Sequence, residues 1–385
     1  MNRPLRICAV SGSRADYGLL VVPLRAMRAD PAFDLRLVLT GQHLVKSAGD
    51  TAAQVRRDGF TITAEVDMKP DSDSAAAVTA ASGRLLGAMG EVLAGLTPDL
   101  VLLLGDRYEI ACCAIAATIA RVPIAHIVGG DVTEGAFDDA FRHAITKMAH
   151  LHFVTNEASA RRVRQLGETN DRIHVVGSPG LDLIRTTTVP SRDAFFASVD
   201  LAPGTPNILA TFHPVTLAGD SMRQLDEMLA ALAARDAATI LFTGANADPE
   251  GRQIEERIGA FAAHRATARL VPSLGSVNYF AALTYMDVVV GNSSSGLYEA
   301  PSFGIPTVNI GDRQAGRLRA ESVFDCPPQR DAIGAAITRA LGRGRKPTAN
   351  PYGDGHAAER IVAVLKALED PRALLNKRFA EFVVA

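Results

Sequence analysis

The chain has 385 residues, 48% of them hydrophobic and 21% charged, which is typical of a folded globular protein and excludes a disordered or fibrous one. Its 40 Lys and Arg residues nearly balance 42 Asp and Glu residues, and the net charge of −2 gives no electrostatic case for nucleic acid or an anionic membrane as a partner. We find no signal peptide and no apolar run of the ~20 residues that a membrane span needs. We therefore expect a cytoplasmic protein, long enough for two domains.

Short apolar runs recur along the first half of the chain, each followed by a polar or glycine-containing turn and a helical pattern. Continuous rather than alternating apolarity predicts strands that are buried on both faces, as in a parallel sheet covered by helices. The predicted strands are residues 5–10, 35–39, 100–104, 124–128, 151–155 and 173–176. Helices are predicted over residues 75–96, 110–120, 139–149 and 157–166.

This pattern stops at about residues 185–205 and then restarts. Further strands are predicted over residues 208–212, 239–242, 269–271, 288–290 and 307–310. We therefore predict an α/β chain with two doubly wound, Rossmann-like domains facing each other across a cleft, residues 1–185 and 186–368. A last helix is predicted over residues 355–368, and we expect the apolar tail, residues 369–385, to dock back on the body.

In doubly wound domains ligands bind just beyond the carboxyl ends of the strands, so the polar turns there are the candidate site. The first such turn, residues 11–18, contains Arg14 and Asp16. Its small residues and the following helix suit a phosphate, with which Arg14 could pair. The turn is neither GxGxxG nor a Walker A loop, which disfavours a dinucleotide site or an NTPase. An ordinary capped turn with a surface arginine is the alternative.

Carboxylates follow the next predicted strands. Asp106 lies two residues after the predicted strand 100–104, Asp131 follows paired glycines, and two adjacent acids begin the next predicted helix. A carboxylate in such a place either serves in catalysis or caps the following helix, and position alone does not separate the two. The candidate acids and bases are Asp106, Asp131, Asp138 and Asp139.

The second half offers a candidate nucleotide site. His213 ends a predicted strand before a proline, where a structural, hydrogen-bonded histidine is the alternative to one facing the cleft. The turn at residues 291–296 supplies backbone N–H groups, hydroxyls and a helix start, as a phosphate cradle does. Glu299 could accept hydrogen bonds from a ribose diol, and Arg313 adds a cation. These features predict a nucleoside diphosphate bound by the second domain.

No metal or cofactor is expected from the sequence. His143, His150 and His152 are spaced by seven and two residues, which does not place three ligands on one helical face. The four cysteines have no metal-finger spacing and fit buried thiols of a reduced protein.

Seven strings, in order from about residue 6 to residue 317, together resemble the hydrolysing UDP-N-acetylglucosamine 2-epimerases of sialic-acid pathways. The resemblance implies a GT-B fold, a homodimer or homotetramer, and a nucleotide sugar as the small-molecule partner. The strings are SRADY at 13–17, GDR at 105–107, HI at 126–127 with GG at 129–130, RHAITK at 142–147, FHP at 212–214, GNSSSG at 291–296 with Glu299, and GDRQ at 311–314.

The resemblance also implies a reaction. UDP leaves C1 of UDP-N-acetylglucosamine as a base removes the C2 proton in an anti elimination. Water then adds to the 2-acetamidoglucal and releases N-acetylmannosamine. No adjacent carbonyl acidifies the C2 proton, so stabilisation of the leaving group carries much of the barrier.

Matching positions supply the implied roles. Asp106, Asp131, Asp138 and Asp139 become acids and bases, with His213 at the diphosphate or the sugar. Two positions depart from the family: Val128 stands where relatives often carry a carboxylate, and Asp131 where hydrolysing relatives often have Glu. The implied contacts to substrate and nucleotide are Arg14, Asp16, Arg107, Arg142, Asn292, Ser293, Ser294, Ser295, Gly296, Glu299 and Arg313.

Other functions remain open at this stage. The sugar could be the 2,4-diacetamido-2,4,6-trideoxyhexose of legionaminic acid synthesis, N,N'-diacetylbacillosamine, linked to UDP or GDP. A GT-B glycosyltransferase would share the nucleotide cradle but need an acceptor site and no C2 base. A non-catalytic nucleotide-sugar sensor would bind the ligand without turnover.

Overall fold

A computed structural model describes residues 3–45, 51–72, 74–132, 137–215, 220–244 and 251–381. The chain divides into two compact units. The first unit comprises Met1–Leu183 and Tyr352–Ala385, and the second comprises Ile184–Pro351. The first boundary lies next to the predicted residue 185, but the return of the chain to the first unit at Tyr352 differs from the prediction, which kept residues up to 368 in the second domain.

A parallel sheet forms the centre of the first unit. The strands are β1 (Leu5–Ser11), β2 (Phe33–Thr40), β3 (Ile62–Val66), β4 (Leu100–Leu104), β5 (Ile124–Ile127), β6 (Leu151–Val154) and β7 (Ile173–Val175). Within the described residues their order is β3-β2-β1-β4-β5-β6-β7, with every pairing parallel. The prediction missed β3, an edge strand whose residues are mostly half-buried.

Helices cover both faces of this sheet. They are α1 (Arg14–Ala29), α2 (Thr51–Arg57), α3 (Ala75–Leu96), α4 (Tyr108–Ile119), α5 (Asp138–Met148), α6 (Glu157–Gln165) and α7 (Pro179–Thr186). Successive residues of β1 point to opposite faces: Ile7 packs in the core that contains α1, and Cys8 in the core that contains α3, α4 and α5. None of the described helices is long and apolar enough to span a bilayer.

The second unit repeats the arrangement. Its helices are α8 (Arg192–Ser198), α9 (Ser221–Ala233), α10 (Gly251–Ala263), α11 (Gly275–Tyr285), α12 (Ser295–Tyr298) and α13 (Arg330–Arg343). Its strands are β8 (Asn207–Thr211), β9 (Thr239–Thr243), β10 (Ala268–Val271), β11 (Val288–Gly291), β12 (Thr307–Ile310) and β13 (Val323–Cys326). Among the described residues they form one parallel sheet in the order β10-β9-β8-β11-β12-β13.

The last helix, α14 (Ala357–Lys366), belongs to the first unit for a physical reason. The Asp182 carboxylate accepts hydrogen bonds from the first backbone N–H groups of α14, those of Ala357 (2.9 Å) and Ala358 (2.6 Å). These groups have no partner inside their own helix. Ile361 and Leu365 are buried in the core that contains α1. The cap and the apolar face together fix α14 on the first unit.

The tail after α14 also contacts the first unit. Arg172 donates to the carbonyl oxygens of Leu374 (2.6 Å) and Asn376 (3.0 Å), and the Ala380 N–H donates to the Gly167 carbonyl (2.9 Å). Phe382, Val383 and Val384, which the sequence prediction included in the docking tail, lie outside the described residues.

Candidate active site

Three of the four predicted acids of the first unit form hydrogen bonds to one arginine, Arg142. Arg142, on α5, is only 7% exposed. Its Nη1 donates to the carboxylate of Asp139 and to the main-chain oxygen of Asp131, both at 2.9 Å, and its Nη2 donates to the carboxylate of Asp106. Charge-assisted bonds of this kind are strong and directional. Arg142 therefore joins the turn after β4, the turn after β5 and the start of α5.

Asp138 and Asp139, adjacent in sequence, have different surroundings. Asp139 binds Arg142 and lies 3.3 Å from Nε2 of His143. No hydrogen bond to the Asp138 carboxylate is found within the described part of the chain, and α5 has no side-chain cap at its first turn. Partial burial, reinforced by the nearby Asp106 carboxylate, raises the pKa of Asp138. Asp139 is thus held by Arg142, whereas the Asp138 carboxylate has no hydrogen-bond partner among the described residues.

Asp131 is held from the other side of the turn. One of its oxygens accepts hydrogen bonds from the hydroxyls of Thr155 (2.8 Å) and Ser159 (2.5 Å). Burial raises the pKa of the Asp131 carboxyl, although both hydroxyls oppose this. Gly130, at φ +75°, lies so close to the Ser159 carbonyl that a Cβ there would be 2.4 Å from it. The paired glycines are therefore needed for this close packing.

His126 links the same elements structurally. Its Nε2 lies 2.7 Å from the Gly105 carbonyl and its Nδ1 lies 3.1 Å from the Thr146 hydroxyl. Burial lowers the pKa of His126 to about 3, so the ring is neutral and its proton is on Nε2, facing the carbonyl. The following Val128 has φ +67°, a left-handed conformation that strains a β-branched residue.

A second carboxylate group lies beyond β1 and β4. Asp16 is 7% exposed and Glu109 is fully buried. Burial, assisted by Glu109, raises the pKa of Asp16 to about 6. Glu109 accepts from Nε of Arg107 at 2.5 Å, and a Cβ at Gly12 would be 2.8 Å from its Cγ. Within the described residues, one oxygen of Asp16 and one of Glu109 are buried without a hydrogen-bond partner.

Glu109 was not among the site residues predicted from the sequence. The available signal was a charged residue in the first turn of an otherwise apolar helix, α4. Arg14, the predicted phosphate contact, is exposed at the start of α1. Two other histidines of the first unit have hydrogen-bond partners in the protein: His150 accepts from the Ile124 N–H, and His152 pairs with Glu168. The described residues contain no group of His, Cys, Asp and Glu arranged to hold a metal ion.

In the second unit, Asn292 connects two turns. Its side chain bonds to both backbone groups of His213, accepting from the N–H (2.7 Å) and donating to the carbonyl (2.8 Å). Gly291 has φ +140°, and a Cβ there would be 1.8 Å from the Thr211 carbonyl, so only glycine fits. The Arg313 guanidinium donates to the carbonyls of Pro214 and Asn292, both at 3.2 Å. Arg313 therefore holds the two turns together.

The serine turn precedes a shorter helix than the sequence suggested. The Ser293 hydroxyl accepts from the Ser295 N–H (3.4 Å), and the Ser295 hydroxyl accepts from Tyr279 (2.5 Å). Ser294 precedes α12, which has four residues and is followed by a 3-10 turn at Ala300–Phe303. Because so few peptide dipoles are aligned, the expected positive helix N-terminus is weak here. Backbone N–H groups and hydroxyls remain as donors.

Gly296 and Glu299 complete this turn. A Cβ at Gly296 would be 2.6 Å from Thr307, so the glycine allows α12 to pack against β12. Burial raises the pKa of Glu299, and one of its oxygens is buried without a hydrogen-bond partner among the described residues. A carboxylate of this kind is suited to accept hydrogen bonds from ligand hydroxyls. The second unit thus presents hydroxyls, amides and one carboxylate at the carboxyl ends of β8 and β11.

The chain thus has two α/β units, each built on a parallel sheet. One unit carries carboxylates around an arginine and the other a serine-rich turn, a combination that suits a sugar-nucleotide enzyme. The family model described as UDP-N-acetylglucosamine 2-epimerase matches residues 25–366. The chain therefore belongs to the UDP-N-acetylglucosamine 2-epimerase family.

Individual relatives are similar over almost their whole length. The chain is 35% identical to the UDP-N,N'-diacetylbacillosamine 2-epimerase (hydrolyzing) of Legionella pneumophila, with 97% of this chain and 98% of the relative covered. It is 34% identical to the polysialic acid biosynthesis protein P7 of Escherichia coli, with 98% and 97% covered. The UDP-GlcNAc 2-epimerase of Neisseria meningitidis bound to UDP-GlcNAc has the same fold, with a TM-score of 0.75 at 17% identity and 94% and 99% covered.

Proposed function

We propose that this protein is a hydrolysing 2-epimerase that converts a UDP-linked N-acetylhexosamine and water into UDP and the free 2-epimer. The observation that carries the proposal is the set of carboxylates around Arg142. Asp106, Asp131 and Asp138 lie at adjacent carboxyl ends and turns, and the pKa values of Asp131 and Asp138 are raised. Carboxylates with raised pKa values suit proton transfer near neutral pH.

The reaction needs two proton-transfer groups. In the first step the C1–O bond breaks, the C2–H electrons form the C1=C2 double bond, and a carboxylate takes the proton. In the second step C2 is protonated and the hydroxyl of water bonds to C1. Inversion at C2 requires the proton to return on the opposite face of the ring, so one carboxylate does not serve both steps. We assign these transfers to Asp131 and Asp138, with Asp106 and Asp139 held by Arg142.

We assign the nucleotide to the second unit. The hydroxyls of Ser293, Ser294 and Ser295 with nearby backbone N–H groups bind the diphosphate, and Glu299 accepts from the ribose hydroxyls. Asn292, Gly296 and Arg313 shape the turn, and His213 serves at the diphosphate or the sugar. Arg14, Asp16 and Arg107 contact the substrate from the first unit.

Two sugars are candidates. UDP-N-acetylglucosamine would give N-acetylmannosamine, a precursor of sialic-type acids. The 2,4-diacetamido-6-deoxy analogue is favoured by the similarity to the Legionella relative, whose name specifies that substrate. The chemistry at C1 and C2 is the same for both.

The test is to incubate the protein with UDP-N-acetylglucosamine and with UDP- and GDP-linked N,N'-diacetylbacillosamine in deuterated water, without an acceptor. We expect free 2-epimer that carries deuterium at C2, detected by NMR. Retention of the original C2 hydrogen would contradict the elimination. If no free sugar forms without an acceptor but the sugar is transferred once an acceptor is added, the protein is a glycosyltransferase. Tight binding of the sugar nucleotide without turnover would favour a sensor.

We also propose that the protein is a homo-oligomer, either dimer or tetramer, assembled through α3. Three of its exposed glycines, Gly83, Gly87 and Gly90, have no atom of the described residues outside their own helix within 4 Å of a Cβ position. Glycine weakens a helix by about 1 kcal/mol relative to alanine, which is explained if another backbone approaches this face. Ile115 and Ile119, on the adjacent α4, are exposed beside it.

A further inference from the structure

The C-terminal tail inserts an ammonium group at the end of α5. Lys377 Nζ lies 2.6 Å from the carbonyl oxygens of both Lys147 and Ala149 and 2.8 Å from the Glu168 carboxylate. An ammonium has three N–H donors, so all three are used. Lys147 is in the last turn of α5 and Ala149 is its C-cap.

The position suits a cation. The last carbonyls of a helix have no partner within it and carry the negative end of the helix dipole. A lysine from 230 residues further along the chain satisfies one of these carbonyls, that of Lys147. Lys377 is therefore a C-terminal cap for α5 that is supplied by a distant segment.

Glu168 fixes this lysine in turn. Its side chain is 1% exposed and accepts from Lys147 Nζ (2.9 Å), Lys377 Nζ (2.8 Å) and His152 Nε2 (3.0 Å). These partners lower the pKa of Glu168 to about 2 despite its burial. A fully paired, buried carboxylate strongly resists loss of either lysine.

The candidate carboxylates lie at the other end of α5, its N-terminus. Along the helix from its C-terminus, Thr146 bonds to His126, Arg142 bonds to Asp106 and Asp139, and Asp138 stands at the first position. An eleven-residue helix is about 16 Å long. A small axial shift of α5 would move all these side chains together.

We propose that Lys377 is a positioning residue for the acid–base carboxylates, because by binding the last carbonyls of α5 it fixes the axial position of the helix that carries Asp138, Asp139 and Arg142. The kinetic part of this inference rests on the proposed function. The anchoring itself does not, since it follows from the contacts of Lys377. A misplacement of about 1 Å in catalytic groups can lower a rate by ~10²-fold.

The test uses the full-length protein. Lys377→Ala should lower kcat at least ~10-fold, while KM and the affinity for UDP change less than about 2-fold, as expected if the nucleotide contacts lie in the other unit. Propylammonium, which replaces the missing side chain, should restore part of kcat, whereas tetramethylammonium, which has no N–H donor, should not. Lys377→Met keeps the aliphatic stem and should lose activity without rescue by the amine.

The matched control is Lys366→Ala. Lys366, the last residue of α14, forms an ion pair with Asp30 at 2.7 Å. It has no hydrogen bond to α5 among the described residues. Its loss should leave kcat unchanged. Wild-type kcat in Lys377→Ala, or an activity loss that propylammonium does not reverse, would overturn the positioning role.

A measurement independent of activity separates this inference from the proposed function. Amide hydrogen exchange in α5 should be faster in Lys377→Ala than in the wild type and should slow again with propylammonium. Unchanged exchange would overturn the anchoring. If the wild type releases no nucleoside diphosphate from any sugar nucleotide, the proposed function fails, and the exchange result still decides the structural part.

Discussion

The side chain of Asn292 pairs with the backbone of His213 through both of its amide atoms, at 2.7 and 2.8 Å. Asn292 follows β11, and His213 lies just beyond β8, its neighbour in the sheet. The pair fixes the main chain at His213 relative to the serine turn. Both hydrogen bonds are to backbone atoms of His213, and the imidazole takes no part in them. The pair therefore fixes the position of the main chain without using the ring.

Removing this amide should loosen the proposed nucleotide site. We expect Asn292→Ala to lower UDP affinity ~10-fold and to destabilise the protein by about 1–3 kcal/mol, since the buried N–H of His213 loses its acceptor. Asn292→Asp keeps that acceptor but replaces the donor to the His213 carbonyl with an oxygen. It should fall between the wild type and Asn292→Ala in calorimetric UDP affinity. Wild-type affinity in both variants would refute the link.

The ribose role of Glu299 can be tested with a matched ligand. Glu299→Ala should weaken UDP binding by about 1.5–3 kcal/mol, the range for a hydrogen bond to a charged group. The wild type should prefer UDP over 2'-deoxy-UDP, and Glu299→Ala should lose that preference. Because the pKa of Glu299 is raised, wild-type affinity should fall as the pH drops through that pKa and the carboxylate is neutralised. Equal preference in both proteins would contradict the assignment.

Asp138 and Asp139 should respond differently to the same change. Asp138→Asn should lower kcat by at least ~10²-fold, as expected for a positioned base, with no loss of thermal stability because ionising a group with a raised pKa opposes folding. Asp139→Asn removes a carboxylate partner of buried Arg142 and should mainly lower the melting temperature. Steady-state kinetics and thermal denaturation of both variants check this. The reverse outcome would make Asp139 the base.

The ionised Asp16 carboxylate should lower the free energy of unfolding at neutral pH. Its pKa rises from 3.8 in the unfolded chain to about 6 when folded, so between these values the folded state binds more protons and its stability falls as pH rises. Asp16→Asn should therefore be more stable than the wild type above pH 6, by up to about 3 kcal/mol, with the advantage fading below about pH 4. Urea denaturation across pH measures it. A stability difference between Asp16→Asn and the wild type that does not change with pH would contradict this prediction.

The α3 face gives a test of assembly. We expect light scattering to find a dimer or tetramer for the wild type and a monomer for Gly87→Arg, because the side chain would fill the space where a partner helix approaches. Gly342, on α13, likewise has no atom within 4 Å of a Cβ position in the part of the chain that the structure describes. Gly342→Arg should leave the assembly intact. Dissociation of both variants, or of neither, would exclude α3 as the contact.

The sequence predicted the fully buried strands and the edge strands β7 and β10, but it missed the other two edge strands, β3 and β13. Strands such as β4 and β12 have every residue buried, so their apolarity is continuous and predicts them directly. At the edges, β3 and β13 mix polar and apolar residues, because their outer sides need no neighbour. The parallel order then explains why Asp106 and Asp131 could be placed together: β4 and β5 are adjacent and end side by side.

What could not be predicted depends on partners distant in sequence. Whether an acid is free or held is decided by Arg142 for Asp106 and by Ser159 for Asp131, and no local pattern encodes those pairings. The same holds for α14, whose helical pattern was recognised. Its place in the first unit depends on Asp182, 175 residues earlier.

That interrupted connectivity has a consequence for how the protein is made. During synthesis the second unit is complete once Pro351 has emerged, while the first unit still lacks α14 and the tail. Domains generally fold as units as they emerge, but here the unit begun first is finished last, and closing it requires contacts across more than 170 residues. A chain that stops before Lys377 would contain the whole serine turn and yet lack the ammonium that anchors α5. Synthesis through Lys377 is therefore needed to complete the contacts of α5 in the first unit, but not to complete the serine turn.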